Sequence, residues 1–368
     1  MKRDMYNMNP FRQNGRSLWP LWLLALLLCA ACTGQADDPT ATDEGRTATL
    51  RLIVPQPEAA TRTDPGDETY EKELATEESA IYTLRIVIYS LRNGNNATTI
   101  NRLYTASELK KNNNVLTITG VPVGVAQICA IANEGSIGQD YSDILTMQQQ
   151  AVNVEGISKV LITDDGNKYF PKRGTQLLAI TESAQKGLPM SWMAKDYNIK
   201  TEAEGENSLS VELVRCVSKI RMEIQNNFSE KITVSKVSFG AFFGNSFYLF
   251  SETDLDVPAG QTYVGREFEE GVSYDIQPNG KEVLILYFYP SFAWTSGSVA
   301  SPYTIGFVTE GGTYPQMAFL DPTGTSYNSI PRNTQVNISV TLSGETHVSV
   351  DFAVVGWEKT DITVPDFE

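Results

Sequence analysis

Short alternations of apolar and polar residues dominate the chain and predict strands rather than helices. Most runs alternate cleanly or are rich in Val, Ile and Tyr, as strands with one buried face are. Turn pairs such as Asn93-Gly94 and Asp165-Gly166 stand between the runs at hairpin spacing. The clearest runs cover residues 49–54, 82–91, 115–118, 127–131, 160–162, 176–180 and 208–213. Since only residues 141–152 read as a convincing short helix, we predict an all-β fold with one or two short helices.

A polar, strand-poor stretch at residues 200–207 interrupts this pattern near the middle of the chain. A fresh series of alternating strands begins behind it. Because each sheet must bury one face against another, two β-sandwiches in tandem are the natural architecture. We expect an N-terminal domain over residues 48–207 and a C-terminal domain over residues 208–368. In the first domain, a strand over 48–54 precedes an acidic loop over 55–79 that buries too little to be ordered.

The first 31 residues have the layout of a bacterial export signal. Four basic residues precede an apolar run over residues 18–28, which is shorter than the roughly 20 residues of a membrane-spanning helix. Two alanines stand directly before Cys32, and this run resembles a bacterial lipobox, although Cys29 stands where leucine is usual. We expect a lipoprotein signal peptide over 1–31, lipidation of Cys32 and an acidic tether over 32–47. Ordinary cleavage near Ala31 is the alternative.

Charge and residue counts argue against several classes of function. The net charge is −15, so the chain repels nucleic acid and anionic surfaces. His347 is the one histidine, which argues against Ser-His-Asp and Cys-His nucleophiles and against multi-histidine metal sites. We expect a non-enzymatic protein with no catalytic residue, cofactor or metal. Cys129 and Cys216 lie in apolar runs and read as buried free thiols, with an inter-domain disulfide as the alternative.

Four segments, in order along nearly the whole chain, together resemble the fimbrillin family, the fimbrial subunits of Bacteroidales. Each is loose alone, but their combination and order are specific. The segments are TATLRLIVPQPEAATRTDPGDE with YTLRIVIYSL, then VGVAQICAIANEG, then GLPMSW with ELVRCVSKIRMEI, and finally IPRNTQVNISVTLSG with VSVDFAVVGWEKTDITV.

The resemblance implies two transthyretin-like sandwiches that polymerise by strand exchange. In this family a lipoprotein precursor reaches the cell surface, and a trypsin-like, arginine-specific protease cuts in the loop behind the first strand. The strand leaves, and the C-terminal segment of another subunit takes its place. The implied partners are other fimbrial subunits in a homopolymer, the protease, and the outer membrane through the lipid before processing.

The residues of the first strand and its loop fit this scheme. Leu50, Leu52 and Val54 share one face, and we expect this strand to seal a sheet edge, so that its removal exposes an apolar groove. Arg62, followed by Thr63, is the arginine expected to be cut, because its surroundings are polar and the strand lies wholly upstream. A solvated loop charge is the alternative for Arg62.

The C-terminus supplies the candidate donor strand. Residues 348–354 alternate, and we expect them to form the last strand of their own domain. Residues 360–367 end the chain and carry Ile362, Val364 and Phe367, which makes them the donor candidate. Pro365 limits this segment to a short or edge strand. The alternative is a closing strand packed on its own sheet.

The function expected from these residues is structural. We expect an exported protein that sits at the outer membrane surface as a lipoprotein precursor and then joins a fimbria as an adhesive, polymerising subunit. A tip or accessory subunit stays open. So does a non-polymerising surface lipoprotein that binds a glycan or host protein through an exposed Trp294 or Trp357, although single aromatics among strands more often pack in a core.

Overall fold

The computed structural model of the protein consists mainly of β-strands. Strand residues make up most of the described part, which confirms the predicted all-β class. Within that part no helix has both the length and the apolar character needed to cross a membrane. The structure describes residues 45–55, 78–91, 97–143, 147–148, 150, 159–163, 187–250, 255–268, 274–292, 294, 300–320, 323–344 and 347–356.

Two sheets in the first part of the chain share one hydrophobic core. A three-stranded sheet consists of β4 (Val115–Pro122), β1 (Thr47–Ile53) and β8 (Asn207–Ser210), in that order. A five-stranded sheet consists, in order, of β3 (Ala97–Thr105), β2 (Thr83–Ser90), β5 (Gly124–Ala132), β7 (Met190–Ile199) and β9 (Val214–Arg215). Alternate side chains of both sheets, such as Leu52 and Ile86, meet in the same core, so the sheets form the two layers of a sandwich.

Two further sheets enclose a second, aromatic core. One consists, in order, of β15 (Lys281–Phe288), β10 (Ser218–Asn226), β20 (Thr334–Gly344) and β21 (His347–Gly356). The other has the order β13 (Tyr263–Phe268), β11 (Ile232–Gly244), β17 (Thr304–Thr309) and β18 (Gly312–Ala318), with β14 (Tyr274–Ile276) also paired to β11. The Phe242 ring stacks on Phe243 and Tyr303 with centroids 4.5 and 5.2 Å apart.

Short elements complete the described part. β6 (Leu161–Thr163) pairs with β12 (Ser246–Tyr248), and β16 (Ser291–Phe292) pairs with β19 (Ser329–Ile330). Helix α1 (Ala106–Lys111) begins with a capping box, in which Thr105 and Glu108 each satisfy the other's backbone N–H. A 3-10 helix covers Glu134–Ile137.

A third apolar cluster joins the two parts of the chain. It includes Val87 and Cys129 from the five-stranded sheet and Ile285 and Tyr287 from the sheet of β10 and β15. The strand pair of β6 and β12 spans the same two parts of the sequence. The five-stranded sheet and the sheet of β10 and β15 therefore each contact an apolar cluster on both faces.

Several expectations can be compared with this architecture. Cys129 and Cys216 are buried free thiols, as expected, and burial raises the pKa of the Cys129 thiol. Residues 348–354 lie in β21, paired with β20, which confirms them as a strand of their own sheet. Trp294 is half-buried and packs against the aromatic core. The strand expected over 176–180 lies outside the described residues.

Candidate functional site

Strand β1 lies at the centre of its sheet, so the expectation that it seals a sheet edge is wrong. It runs antiparallel to β4 on one side and parallel to β8 on the other. An edge strand has one neighbour, whereas β1 has a hydrogen-bonding neighbour along each side. Asn207 in β8 is 158 residues downstream of Thr49, at the end of the polar stretch that indicated a domain boundary.

The inward face of β1 is completely buried, as the alternation of its residues predicts. Leu50 and Leu52 are 0% exposed and Val54 is 2% exposed. Leu52 stands opposite Leu116 of β4 and Leu209 of β8. On the outward face, Ile53 is 42% exposed. The strand therefore fits an apolar groove whose walls are β4 and β8 and whose floor is the five-stranded sheet.

Backbone hydrogen bonds extend this fit to both ends of β1. The N–H of Val54 donates to the carbonyl of Asn114 at 2.9 Å. The carbonyl of Ile53 accepts from the N–H of Val211 at 2.8 Å, just beyond β8. At the other end, the carbonyl of Arg46 accepts from the N–H of Val123 at 3.1 Å. If β1 left, these partners would lose hydrogen bonds, which is costly for buried backbone groups.

The side chain of Asn207 holds β8 in place beside β1. Its Nδ2 donates to the carbonyls of Lys200 at 2.9 Å and Thr49 at 3.3 Å, and its Oδ1 accepts from the N–H of Lys200 at 2.8 Å. Asn207 is buried whereas Lys200 is exposed, so these bonds are partly shielded from water. The sequence placed Asn207 at the polar boundary that ends the N-terminal domain and did not indicate this role. Its signal was an asparagine at the end of a polar turn, where such side chains commonly bond to nearby backbone.

The far end of the loop behind β1 is also fixed, which the sequence did not predict. Glu78 and Ser79, the last two residues of the loop expected over 55–79, are buried rather than exposed. The Glu78 Oε1 lies 2.5 Å from Lys219 Nζ and accepts a hydrogen bond from the Tyr287 hydroxyl at 2.8 Å. Arg215 donates to the Glu78 carbonyl at 3.0 Å. The local sequence gives no signal for these contacts, because every partner lies more than a hundred residues away.

Burial opposes the charges of this cluster. It lowers the pKa of Lys219, while the nearby Glu78 carboxylate acts in the opposite direction. Burial lowers the pKa of Arg215 in the same way, again opposed by Glu78. Because a buried charge is costly without its partner, removal of the single Glu78 carboxylate would leave neighbouring cations undercompensated.

The other predicted site residues lie outside the described residues. They are Cys32, Arg62, Thr63, Ile362, Val364 and Phe367, and the roles assigned to them stay predictions. His347 begins β21. Within the described ranges, no group of three or more His, Cys, Asp or Glu side chains is placed to hold a metal ion.

The chain is similar to known proteins both in sequence and in fold. Residues 68–363 match the model of a family described as Mfa2, fimbrillin-A associated anchor proteins Mfa1 and Mfa2. The tip fimbrial protein Mfa3 from Porphyromonas gingivalis with C-terminal truncation is 14% identical, with 84% of this chain and 100% of that chain covered and a TM-score of 0.51. No curated protein matches the sequence.

Two other solved structures are similar at lower TM-scores. A fimbrilin (fimA) from P. gingivalis W83 is 13% identical, with 88% of this chain and 99% of that chain covered and a TM-score of 0.43. A fimbrial assembly protein from Parabacteroides distasonis ATCC 8503 is 13% identical, with 87% and 99% covered and a TM-score of 0.44. At such identities, the similarity to the tip protein supports the sandwich fold alone.

Proposed function

Because the chain belongs to the family of fimbrillin-A associated anchor proteins Mfa1 and Mfa2, we propose that it is an adhesive subunit of a bacterial fimbria assembled by strand exchange. In this proposal an arginine-specific protease cuts between Arg62 and Thr63, and β1 leaves its groove. The C-terminal segment of another copy, residues 360–367, then enters between β4 and β8. The observation that carries the proposal is the central position of β1, with neighbours on both sides and its inward face buried.

The groove gives a physical reason for exchange. Fully burying one Leu or Val side chain contributes about 1.5–3 kcal/mol, so the inward side chains of β1 contribute roughly 5–9 kcal/mol before ordering costs. An empty groove would also leave unpaired N–H and C=O groups on β4 and β8 facing each other. An incoming strand satisfies both rows at once, as in other cases of strand addition.

The donor must match the alternation of the strand that it replaces. Side chains at every second position of β1 point into the groove. Ile362 and Val364 of the candidate donor have this spacing and would take two adjacent inward positions, such as those of Leu50 and Leu52. The short segment would therefore fill part of the groove with apolar side chains.

The lipid expected at Cys32 has a temporary role in this scheme. Fimbrial proteins of this family are exported to the cell surface, and an acyl chain would hold the subunit there until processing. After a cut at Arg62, residues 32–62 would leave together with the lipid and β1. The mature subunit would then be held only by its neighbours in the fimbria.

The name of the family supports a second candidate, an anchor subunit. An anchor would keep the lipid at Cys32 and would therefore keep β1. It would resist the cut at Arg62, while its C-terminal segment could still enter the groove of a processed subunit. Resistance of the loop to an arginine-specific protease thus separates the two candidates.

Limited trypsin digestion of a soluble form that begins at Thr33 tests the proposal. We expect one main product that starts at Thr63, followed by a ladder of oligomers. Arg62→Ala should prevent the product, and deletion of residues 360–368 should leave the product but abolish the ladder. A protein that is cut cleanly before Thr63 and stays monomeric would contradict strand exchange, whereas resistance to the protease would favour the anchor.

A further inference from the structure

The two ends of the loop behind β1 are held in different ways. On the upstream side, β1 is held by backbone pairing with β4 and β8 and by its own inward side chains. On the downstream side, residues 78–81 are all buried and are held by side chains from several distant elements. We call residues 78–81 the anchor segment.

Side chains from three strands bind the start of the anchor segment. Lys219 of β10 and Tyr287 of β15 contact the Glu78 carboxylate at 2.5 and 2.8 Å. Arg215 of β9 donates from Nε to the Glu78 carbonyl at 3.0 Å and from a terminal nitrogen to the Ser79 hydroxyl at 3.2 Å. The Glu78 carboxylate thus bonds to the sheet of β10 and β15, whereas β1 belongs to the other sandwich.

Asn133 holds the end of the same segment. Its Nδ2 donates to the carbonyl of Ala80 at 2.8 Å, and its Oδ1 accepts from the N–H of Tyr82 at 2.9 Å. Gly187 lies against this contact with a φ of +60°, and a Cβ there would come within 2.4 Å of Asn133 Nδ2. The close approach and the backbone conformation both require glycine at this position.

From these contacts, and resting on the proposed function, we infer that Glu78 is a positioning residue for strand exchange. Glu78 keeps the downstream end of the cut loop bound to the protein. Proteolysis therefore releases β1, whereas the anchor segment and β2 stay in place. After the cut, β2 becomes the first strand of the processed chain and still forms the groove floor through Leu84, Ile86 and Ile88. If the anchor segment also left, β2 would lose its fixed start and the incoming donor would lose part of its floor.

Hydrogen exchange of the backbone amides of residues 78–91 tests this inference, in both intact and trypsin-cut protein. In the wild type we expect the cut to change these rates by less than about twofold. Glu78→Gln should accelerate exchange by at least about tenfold in the cut protein and by less in the intact protein, where the loop still connects to β1. Asp256→Asn is the matched control, because Asp256 also pairs with a lysine, Lys159 at 2.9 Å, but does not contact the anchor segment.

A milder variant covers the case in which Glu78→Gln does not fold. Tyr287→Phe removes only the hydroxyl that donates to Glu78, and we expect a smaller acceleration, about threefold, confined to the cut protein. Equal rates in cut wild type and both variants would overturn the inference, as would the same acceleration in Asp256→Asn.

The same samples separate this inference from the proposed function. Mass spectrometry of the cut protein shows whether the β1 fragment is lost when a synthetic peptide of residues 360–368 is added. Retention of β1 in the wild type would count against strand exchange. The amide hydrogen-exchange rates of residues 78–91 would still decide whether Glu78 holds the anchor segment. Loss of β1 together with equal amide hydrogen-exchange rates in all variants would support strand exchange and would contradict the role inferred for Glu78.

Discussion

Replacing Leu52 by alanine removes the central inward side chain of β1 and gives a sharp measure of how tightly the groove holds its strand. Leu52 is completely buried between Leu116 and Leu209. Leu→Ala substitutions in cores cost about 2–5 kcal/mol, from lost burial and from the cavity left behind. We expect the upper half of this range, because the flanking strands are paired to β1 and can collapse only slightly.

The measurement has two parts. Urea unfolding of the intact protein gives the loss of stability. Dissociation of the β1 fragment from trypsin-cut protein gives the loss of affinity, where about 2–5 kcal/mol corresponds to roughly 30-fold to several thousand-fold in the equilibrium constant. Ile53→Ala is the matched control, because Ile53 is the next residue of the same strand and is 42% exposed. We expect it to cost less than about 1 kcal/mol.

The comparison of the two variants can refute the reasoning. Equal losses for Leu52→Ala and Ile53→Ala would mean that the buried face of β1 does not determine how the strand is held. A large loss of stability in Leu52→Ala without faster release of the cut fragment would mean that Leu52 supports the core and not the retention of β1.

Three further predictions concern other features of the structure. In a soluble form that begins at Thr33, Cys129 and Cys216 are the two cysteines present, and both are buried. Burial also raises the pKa of the Cys129 thiol, so both should resist thiol-specific labelling when folded and react after unfolding in urea. Fast labelling of the folded form would contradict this. Asn207→Ala should lower the free energy of unfolding in urea by about 1–3 kcal/mol, since the backbone groups of Lys200 lose the Asn207 side chain as a hydrogen-bond partner. A loss below about 0.5 kcal/mol would mean that β8 does not depend on this side chain. Hydrogen bonding from the backbone of Thr105 lowers the pKa of Glu108. The stabilisation from this cap is therefore present above the ordinary carboxyl pKa and is lost as the pH falls through the lowered pKa of Glu108. The stability difference between wild type and Glu108→Gln should be below about 1 kcal/mol near neutral pH and should vanish in acid.

Local patterns predicted much of the fold because a strand with one buried face records that face in its own residues. The alternation of Leu50, Leu52 and Val54 is visible in the sequence, and these side chains are buried. Residues 348–354 also alternate in the sequence, and they pair with β20 across a short connection. Where a strand lies and which of its side chains face the core are local properties, so a single sequence is enough to predict them.

The sequence did not predict which distant strands pair with each other. β8 has only four residues and follows a polar turn, so nothing nearby indicates that it lies parallel to β1. The burial of Glu78 depends on Lys219 and Tyr287, and an acidic residue at the end of an acidic stretch otherwise reads as solvated. Both features result from tertiary contacts, which override local composition.

The two-sided pairing of β1 has a mechanical consequence for any strand that occupies its groove. A terminal strand pulled perpendicular to its length separates one hydrogen bond at a time. A strand pulled along its own axis, with neighbours on both sides, must break both rows of bonds together and must drag its inward side chains across the groove floor. A donor seated between β4 and β8 and pulled along its own axis would therefore be loaded in shear against both neighbouring strands.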